Sequence, residues 1–292
     1  LSWRQIKTAL DYFYNNNYRV VEFTGGEPSL SPHLKKAIKY AKKIGYQKIG
    51  IDTNGARGEM VGWFSTKLVN RFTFSLDGAS SKIHDYIRGA GHFKKVIKSI
   101  KKSVERGFET SVVFSVNKRN IAEIEKVILL LDDMKVSNLS FNFTSFMGSA
   151  RDNNLKLISP EKWIEIRQLI EKLPARKNLR LRLPLRFITR NEFKKASKKD
   201  WVCPLVNLNR GYVLATGHIF HCCLLFEELD LATGYVRNDK VILRKQNEAS
   251  LLKDNPSFCP AQDLLCEKDG TPKLIKDTIP VCVDFKRIID PK

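Results

Sequence analysis

Over residues 1 to about 145 the chain alternates helical and strand-like patterns, and its connections suit only parallel crossovers, which restricts it to a β/α architecture. The spacing predicts an opening helix over Trp3–Asn15 and a strand over Arg19–Thr24. A second helix starts at Ser31-Pro32 and stops at Gly45, with Leu34, Ile38, Ala41 and Ile44 on one face. A strand at Lys48–Thr53, a short helix reaching about Val69 and a strand at Arg71–Asp77 follow. Phe93, Val96, Ile97, Ile100 and Val104 then recur at helical spacing before a strand at Thr110–Val116. A helix around Ile121–Leu131 and a strand at Asn138–Thr144 complete at least five β/α units.

A doubly wound open sheet and a whole or partial (β/α) barrel both fit this ladder. The strand ends favour the barrel. The first strand runs into Gly25-Gly26-Glu27-Pro28, the second into Asn54-Gly55, the third into Ser75-Leu76-Asp77-Gly78, the fourth into Ser115-Val116-Asn117. Any one could be turn chemistry alone. Four in succession suggest one polar rim, where barrels build their active sites. The expected fold is α/β, a partial (β/α)6 TIM-like barrel over residues 1–175 and a small cysteine-rich β-hairpin domain over 176–292.

The second region opens with a helix over Pro160–Leu173 capped by Ser159. Leu179–Phe187 alternates strictly and reads as one strand, half buried. Gly211–Leu214 and His218–His221 flank Ala215-Thr216-Gly217 as a hairpin. All six cysteines lie here, at Cys203, Cys222, Cys223, Cys259, Cys266 and Cys282, after 202 residues without one. Such clustering in a loop-rich tail points to metal or Fe–S ligation in a reducing, cytoplasmic compartment rather than to a secreted disulfide framework. A bound cluster would supply stability that so small a core lacks.

Hydrophobic residues make up 42% of the chain, which excludes intrinsic disorder, and no apolar run approaches membrane-spanning length. The formal net charge is +20. Lys94, Lys95, Lys98, Lys101 and Lys102 lie opposite an apolar helix stripe, which is the pattern of a solvated face. The charge would also attract a polyanion, such as an acidic peptide or RNA. No aromatic-interleaved signature supports nucleic acid. The chain begins at Leu1 without a signal peptide, and the expectation is a fragment whose natural N-terminus lies upstream.

Phe23-Thr24-Gly25-Gly26-Glu27-Pro28-Ser29-Leu30 resembles the radical S-adenosylmethionine (radical SAM) superfamily. So do Phe74-Ser75-Leu76-Asp77-Gly78 and Ile83-His84-Asp85-Tyr86-Ile87-Arg88-Gly89. Cys203, thirteen residues, Gly217, four residues and Cys222 resemble the opening of the SPASM or twitch auxiliary-cluster extension. The resemblance implies S-adenosylmethionine, a catalytic 4Fe–4S cluster that cleaves it reductively, and hydrogen abstraction by a 5′-deoxyadenosyl radical. It implies that Gly25 and Gly26 let main-chain carbonyls approach the methionine ammonium, that Pro28 stiffens the turn, and that Glu27 helps hold turn and ammonium. Ser75 and Asp77 become candidates for the ribose and methionine end. Arg88 would pair with the carboxylate or form a surface ion pair, and Asn117 would reach the ribose or adenine edge or serve a turn.

The family's Cys-x3-Cys-x2-Cys motif and first strand should precede the opening helix, and no cysteine precedes Cys203. The chain as it stands is therefore expected not to cleave S-adenosylmethionine. Six thiolates cannot hold two all-cysteine 4Fe–4S clusters. One auxiliary 4Fe–4S cluster is expected, held by Cys203, Cys222 and two of Cys259, Cys266 and Cys282. Cys223, on the opposite face of its strand, would be spare. A zinc site from the same thiolates is the competing reading, and His218 and His221 could ligate or simply be exposed. Phe146-Met147-Gly148-Ser149-Ala150-Arg151 resembles the Gly-x-Ala stretch after the last barrel strand in maturases of this superfamily, which mostly modify peptides or proteins. The implied partners are a peptide, protein or small precursor substrate and an electron donor such as flavodoxin or ferredoxin. The rivals are a non-catalytic barrel with a zinc or Fe–S tail and an RNA-modifying member of the family.

Overall fold

In the computed structural model, which describes residues 1–144, 157–174, 176–189, 210–244 and 278–282, the alternating sequence becomes a six-stranded parallel sheet. The strands are β1 (Val20–Phe23), β2 (Lys48–Thr53), β3 (Arg71–Ser75), β4 (Glu109–Val116), β5 (Asn138–Phe143) and β6 (Arg180–Arg182), paired in that order. The helices are α1 (Trp3–Asn15), α2 (Leu34–Ile44), α3 (Ser81–Arg88), α4 (His92–Glu105), α5 (Ile124–Asp133) and α6 (Pro160–Lys172). Their ends follow local chemistry. Ser2 and Gln5 form a reciprocal capping box on α1, Gly45 closes α2 at φ +110°, and Ser159 accepts from Lys162 N ahead of Pro160 on α6.

One face of the sheet carries Ile49, Ile51, Phe72, Phe74, Val112, Phe114, Leu139 and Phe141, all fully buried in one core. Because side chains alternate along a strand, the other face carries the intervening residues. The register aligns Glu22, Gly50, Arg71 and Glu109 in one row. Asp52, Thr73, Ser111, Asn138 and Arg180 form the next. An open doubly wound sheet would need both faces apolar beneath its helices. The strands pair in chain order with none of the reversal that a doubly wound sheet has, so the barrel expectation holds.

Three local readings need correction. Leu179–Phe187 is not one strand. Arg180–Arg182 ends the parallel sheet, and β7 (Leu185–Thr189) pairs antiparallel with β12 (Thr278–Cys282). Pro184 lies between them and has no N–H for a ladder. Trp163 Nε1 donates to Leu185 O at 2.9 Å and Arg167 Nη1 to Leu183 O at 2.8 Å, so α6 holds this break. The parallel sheet thus continues past residue 175. Second, the segment before Val69 is a 3₁₀ turn over Gly58–Trp63. Third, Ser81–Arg88 is a helix, which the apolar spacing did not indicate.

Between β7 and β12 lies a four-stranded antiparallel sheet in the order β11-β10-β9-β8, from β8 (Tyr212–Val213), β9 (His218–Phe220), β10 (Gly234–Arg237) and β11 (Lys240–Leu243). The hairpin forms as the sequence indicated. This sheet docks on α1. Ala9, Ile219 and Val236 share a small core, Gln5 Nε2 donates to Val236 O at 3.3 Å, and Thr8 Oγ1 donates to Asn238 O at 3.0 Å. A Cβ on Gly211 would lie 2.2 Å from the Phe13 ring, so glycine is what permits that approach. No helix among the described residues is long and apolar enough to cross a membrane.

Candidate functional site

Beyond β1, Thr24, Gly25 and Gly26 are exposed, and Gly25 takes φ +132°, a conformation suited to glycine. A Cβ at Gly25 or Gly26 would meet nothing within 4 Å, so the bare backbone serves no internal packing and faces open space. Glu27 follows in extended conformation and caps the 3₁₀ turn Pro28–Leu30. Its carboxylate accepts from Ser29 N at 3.1 Å, Thr53 Oγ1 at 2.8 Å and Asn54 N at 2.9 Å. Glu27 therefore fastens the glycine turn to the end of β2. Pro28 is buried beneath it.

A second carboxylate does the same work one pair of strands along. Asp77, 2% exposed, accepts from Ser115 N at 2.9 Å, joining the ends of β3 and β4, and from Arg88 Nε at 2.6 Å. Asp77 occupies the Nε edge of the Arg88 guanidinium, and no partner for the terminal nitrogens is found among the described residues. Ser75, half-buried on the polar face, lies one step deeper. Asn117 is buried, with both ends of its amide engaged in its own turn: Nδ2 donates to Ser115 O and Oδ1 accepts from Arg119 N.

Two residues of this rim escaped the sequence reading. Asn120 Nδ2 donates to Asp77 O and Ser115 O, while Glu123 accepts from Ala79 N at 2.7 Å and from Ser80 N and Oγ. Their spacing, Asn117, Asn120 and Glu123, reads locally as a turn and helix start. Gly25 to Pro28, Ser75, Asp77, Arg88 and Asn117 thus gather along the carboxyl ends of β1, β3 and β4. β1 and β3 are two strand spacings apart, about 10 Å.

The cysteines are less complete. Cys203, Cys259 and Cys266, with the stretch Phe146–Arg151, lie outside the described residues. Cys282 ends β12 opposite Leu185. Cys222 and Cys223 do not alternate on a strand, because β9 stops at Phe220 and a 3₁₀ turn covers Cys223–Leu225. Cys222 is nevertheless buried, packed with Phe220 and Leu225, and Cys223 is exposed. His221 Nδ1 contacts Arg210 O and His218 Nδ1 contacts Thr216 Oγ1. Among the described residues no three His, Cys, Asp or Glu side chains gather as a metal site.

Deeper on the polar face, Glu22 pairs with Arg71. Burial pushes the Glu22 carboxyl up to about 7 against the pull of Arg71, with Asp52 adding to the rise. A Cβ on Gly50 would lie 1.8 Å from Glu22 Oε2, so glycine makes room for this carboxylate. Between the ordinary carboxyl range and about 7 the folded chain holds a proton that the unfolded chain releases, so Glu22 makes stability fall as pH rises through that window. Glu22→Gln is expected to flatten the dependence of the denaturant midpoint on pH between about 4.5 and 7. An unchanged slope would refute the assignment.

Residues 1–131 match the radical SAM superfamily. Among curated proteins, the chain is 28% identical over 158 residues to the antilisterial bacteriocin subtilosin biosynthesis protein AlbA of Bacillus subtilis, covering 52% of this chain and 35% of AlbA. It is 28% identical over 169 residues to a protein named "Probable GTP 3',8-cyclase" of Saccharolobus islandicus, covering 57% of this chain and 54% of that one. The chain thus spans about a third to a half of these relatives. Among solved structures, Streptococcus suis SuiB bound to S-adenosylmethionine superposes with TM-score 0.60 at 16% identity, covering 89% of this chain and 59% of SuiB, a likeness of fold.

Proposed function

We infer, for a chain whose residues 1–131 match the radical SAM superfamily, that the barrel mouth binds S-adenosylmethionine for hydrogen abstraction from a peptide, protein or small precursor. The observation that carries this reading is the pairing of an open, Cβ-free Gly25-Gly26 turn with an arginine whose terminal nitrogens lack a partner among the described residues. The turn offers main-chain groups to an ammonium. Arg88 offers a fork to a carboxylate, with Asp77 holding its other edge. Ser75 supplies a hydroxyl toward the ribose end. Glu27 and Asn117 act by shaping the loops rather than by reaching outward. When bound beside a 4Fe–4S cluster, S-adenosylmethionine supplies one-electron cleavage chemistry. Residues 1–202 contain no cysteine, so none of them supplies a thiolate to such a cluster.

A peptide substrate is favoured by the biosynthetic role in the name of AlbA and by the +20 charge, which suits an acidic leader. SuiB has itself been captured with its precursor peptide SuiA. The likeness to the "Probable GTP 3',8-cyclase" favours a small precursor as the second reading. The tail over 176–292 would hold one auxiliary 4Fe–4S cluster through Cys203, Cys222 and two of Cys259, Cys266 and Cys282. An acidic one-electron carrier such as flavodoxin or ferredoxin would serve as donor, in the cytoplasm.

Calorimetric titration of the anaerobically purified chain with S-adenosylmethionine tests the mouth. Binding is expected, weakened at least about tenfold in Arg88→Ala, as the loss of a charge-assisted pair predicts. Equal affinities would remove Arg88 from the site. Iron and sulfide analysis tests the tail, with about four of each per auxiliary cluster expected. Zinc without sulfide would replace the cluster by a zinc site.

A further inference from the structure

We propose that His84 and His92 are positioning residues that set the angle at which α3 presents Arg88 to the mouth. The inference rests on the reading of Arg88 as a carboxylate partner. Asp77 N donates to His84 Nδ1 at 3.0 Å, which fixes that nitrogen as an unprotonated acceptor. The proton of the neutral ring then sits on Nε2, which lies 2.9 Å from His92 Nδ1 and donates to it. His92 Nδ1 is thereby an acceptor too, and both imidazoles are held in the same tautomer.

This chain of contacts joins three elements. Asp77 belongs to the end of β3, His84 to α3 and His92 to the first turn of α4. The neighbouring Asp85 adds a second tie from α3 to α4, accepting from Gly91 N at 2.9 Å and Phe93 N at 2.6 Å. A Cβ on Gly78 would stand 2.7 Å from His84 N, so glycine allows β3 and α3 to approach this closely. α3 is eight residues long, and His84 is its one buried residue. Arg88 lies in its last turn. A two-turn helix held by so little apolar contact takes its orientation from the polar ties, and Arg88 takes its orientation from α3. Asp77 is common to both ends of the device, receiving Arg88 on its carboxylate and giving its N–H to His84.

Burial keeps the rings neutral. It lowers His84 to about 4, with His92 and Arg88 lowering it further and Asp77 and Asp85 opposing. Burial, Arg88 and Lys95 lower His92, against Asp85 and Asp77.

The test is a double-substitution cycle read by S-adenosylmethionine binding to the full chain. His84→Leu fills the space without an acceptor and is expected to raise Kd about tenfold, the scale of one lost hydrogen bond. His84→Asn, which returns an acceptor to Asp77 N, should recover most of it. In an Arg88→Ala background His84→Leu should add nothing. An equal loss in both backgrounds would mean a general folding role and overturn the proposal. His92→Ala leaves the buried ring in place, and it should also weaken binding severalfold only when Arg88 is present. If the wild-type chain does not bind S-adenosylmethionine, the functional reading fails, and the histidine pair is then judged by nitrogen spectra of histidine-labelled protein. Two rings protonated at Nε2 alone at neutral pH, with His84 unchanged down to about pH 5.5, support it. A ring protonated at Nδ1 at neutral pH, or a His84 that gains a second proton above about pH 5.5, overturns it.

Discussion

Asp77→Ala is expected to lower the unfolding free energy by about 2–4 kcal/mol, below the scale of a fully buried ion pair because the Arg88 side chain stays 30% exposed. The size follows from what the carboxylate touches. One oxygen receives Ser115 N at the junction of β3 and β4, the other receives Arg88 Nε, and the residue is 2% exposed. Truncation leaves a peptide N–H without an acceptor and a guanidinium without a counter-charge. Asp77→Asn keeps an acceptor for Ser115 N but sets its amide nitrogen against Arg88 Nε, so about half the effect is expected. Urea titrations of the two variants check this, read as midpoints at constant slope. A loss below about 1 kcal/mol in Asp77→Ala would show that water replaces the brace, and the rim would then be looser than its hydrogen bonds imply.

The braces themselves mark the boundary of what the sequence could reveal. Lys48–Thr53 was legible to the residue, because Ile49 and Ile51 alternate between the Gly45 stop and the Asn54-Gly55 turn. α3 was not, because its one buried residue is a histidine and a search for apolar period cannot see it. The strand read over Leu179–Phe187 kept its alternation on both sides of Pro184, and only the missing N–H separates the two sheets. Period two showed that Arg71, Thr73 and Ser75 share a face, but not that this face lines a lumen. Glu123 reaches Ala79 and Ser80 across 44 and 43 positions, a contact with no local signature. Glu27 and Asp77 are both marked by motif, Glu27 as holding turn and ammonium and Asp77 as a candidate for the ribose and methionine end. The structure adds that each holds two strand ends together.

That distinction governs how substitutions at the mouth should behave. A residue that only touches a ligand can be changed without loss of stability, while a brace affects stability and binding together. Gly26 and the terminal nitrogens of Arg88 are of the first kind, since no protein contact among the described residues depends on them, whereas Gly25 at φ +132° is strained by any side chain. Asp77, Asn117, Asn120 and Glu123 are of the second.

Glu27→Ala separates the two roles most sharply. Loss of three donors' acceptor, at Ser29 N, Thr53 Oγ1 and Asn54 N, is expected to cost about 2–3 kcal/mol, less than three full charge-assisted bonds because the loop is half-exposed and water reaches it. The glycine turn, released from β2, is expected to lose S-adenosylmethionine affinity by about 100-fold, equivalent to about 2.7 kcal/mol. Glu27→Gln can still accept from Ser29 N and Thr53 Oγ1, but its amide nitrogen faces Asn54 N, so both quantities should fall part of the way. A direct salt bridge to the ligand ammonium gives another pattern: Glu27→Gln would lose affinity almost fully and keep its stability. Parallel thermal melts and titrations of the wild type, Glu27→Ala and Glu27→Gln decide the matter. A Glu27→Ala chain that binds as the wild type does would remove the turn from the site altogether.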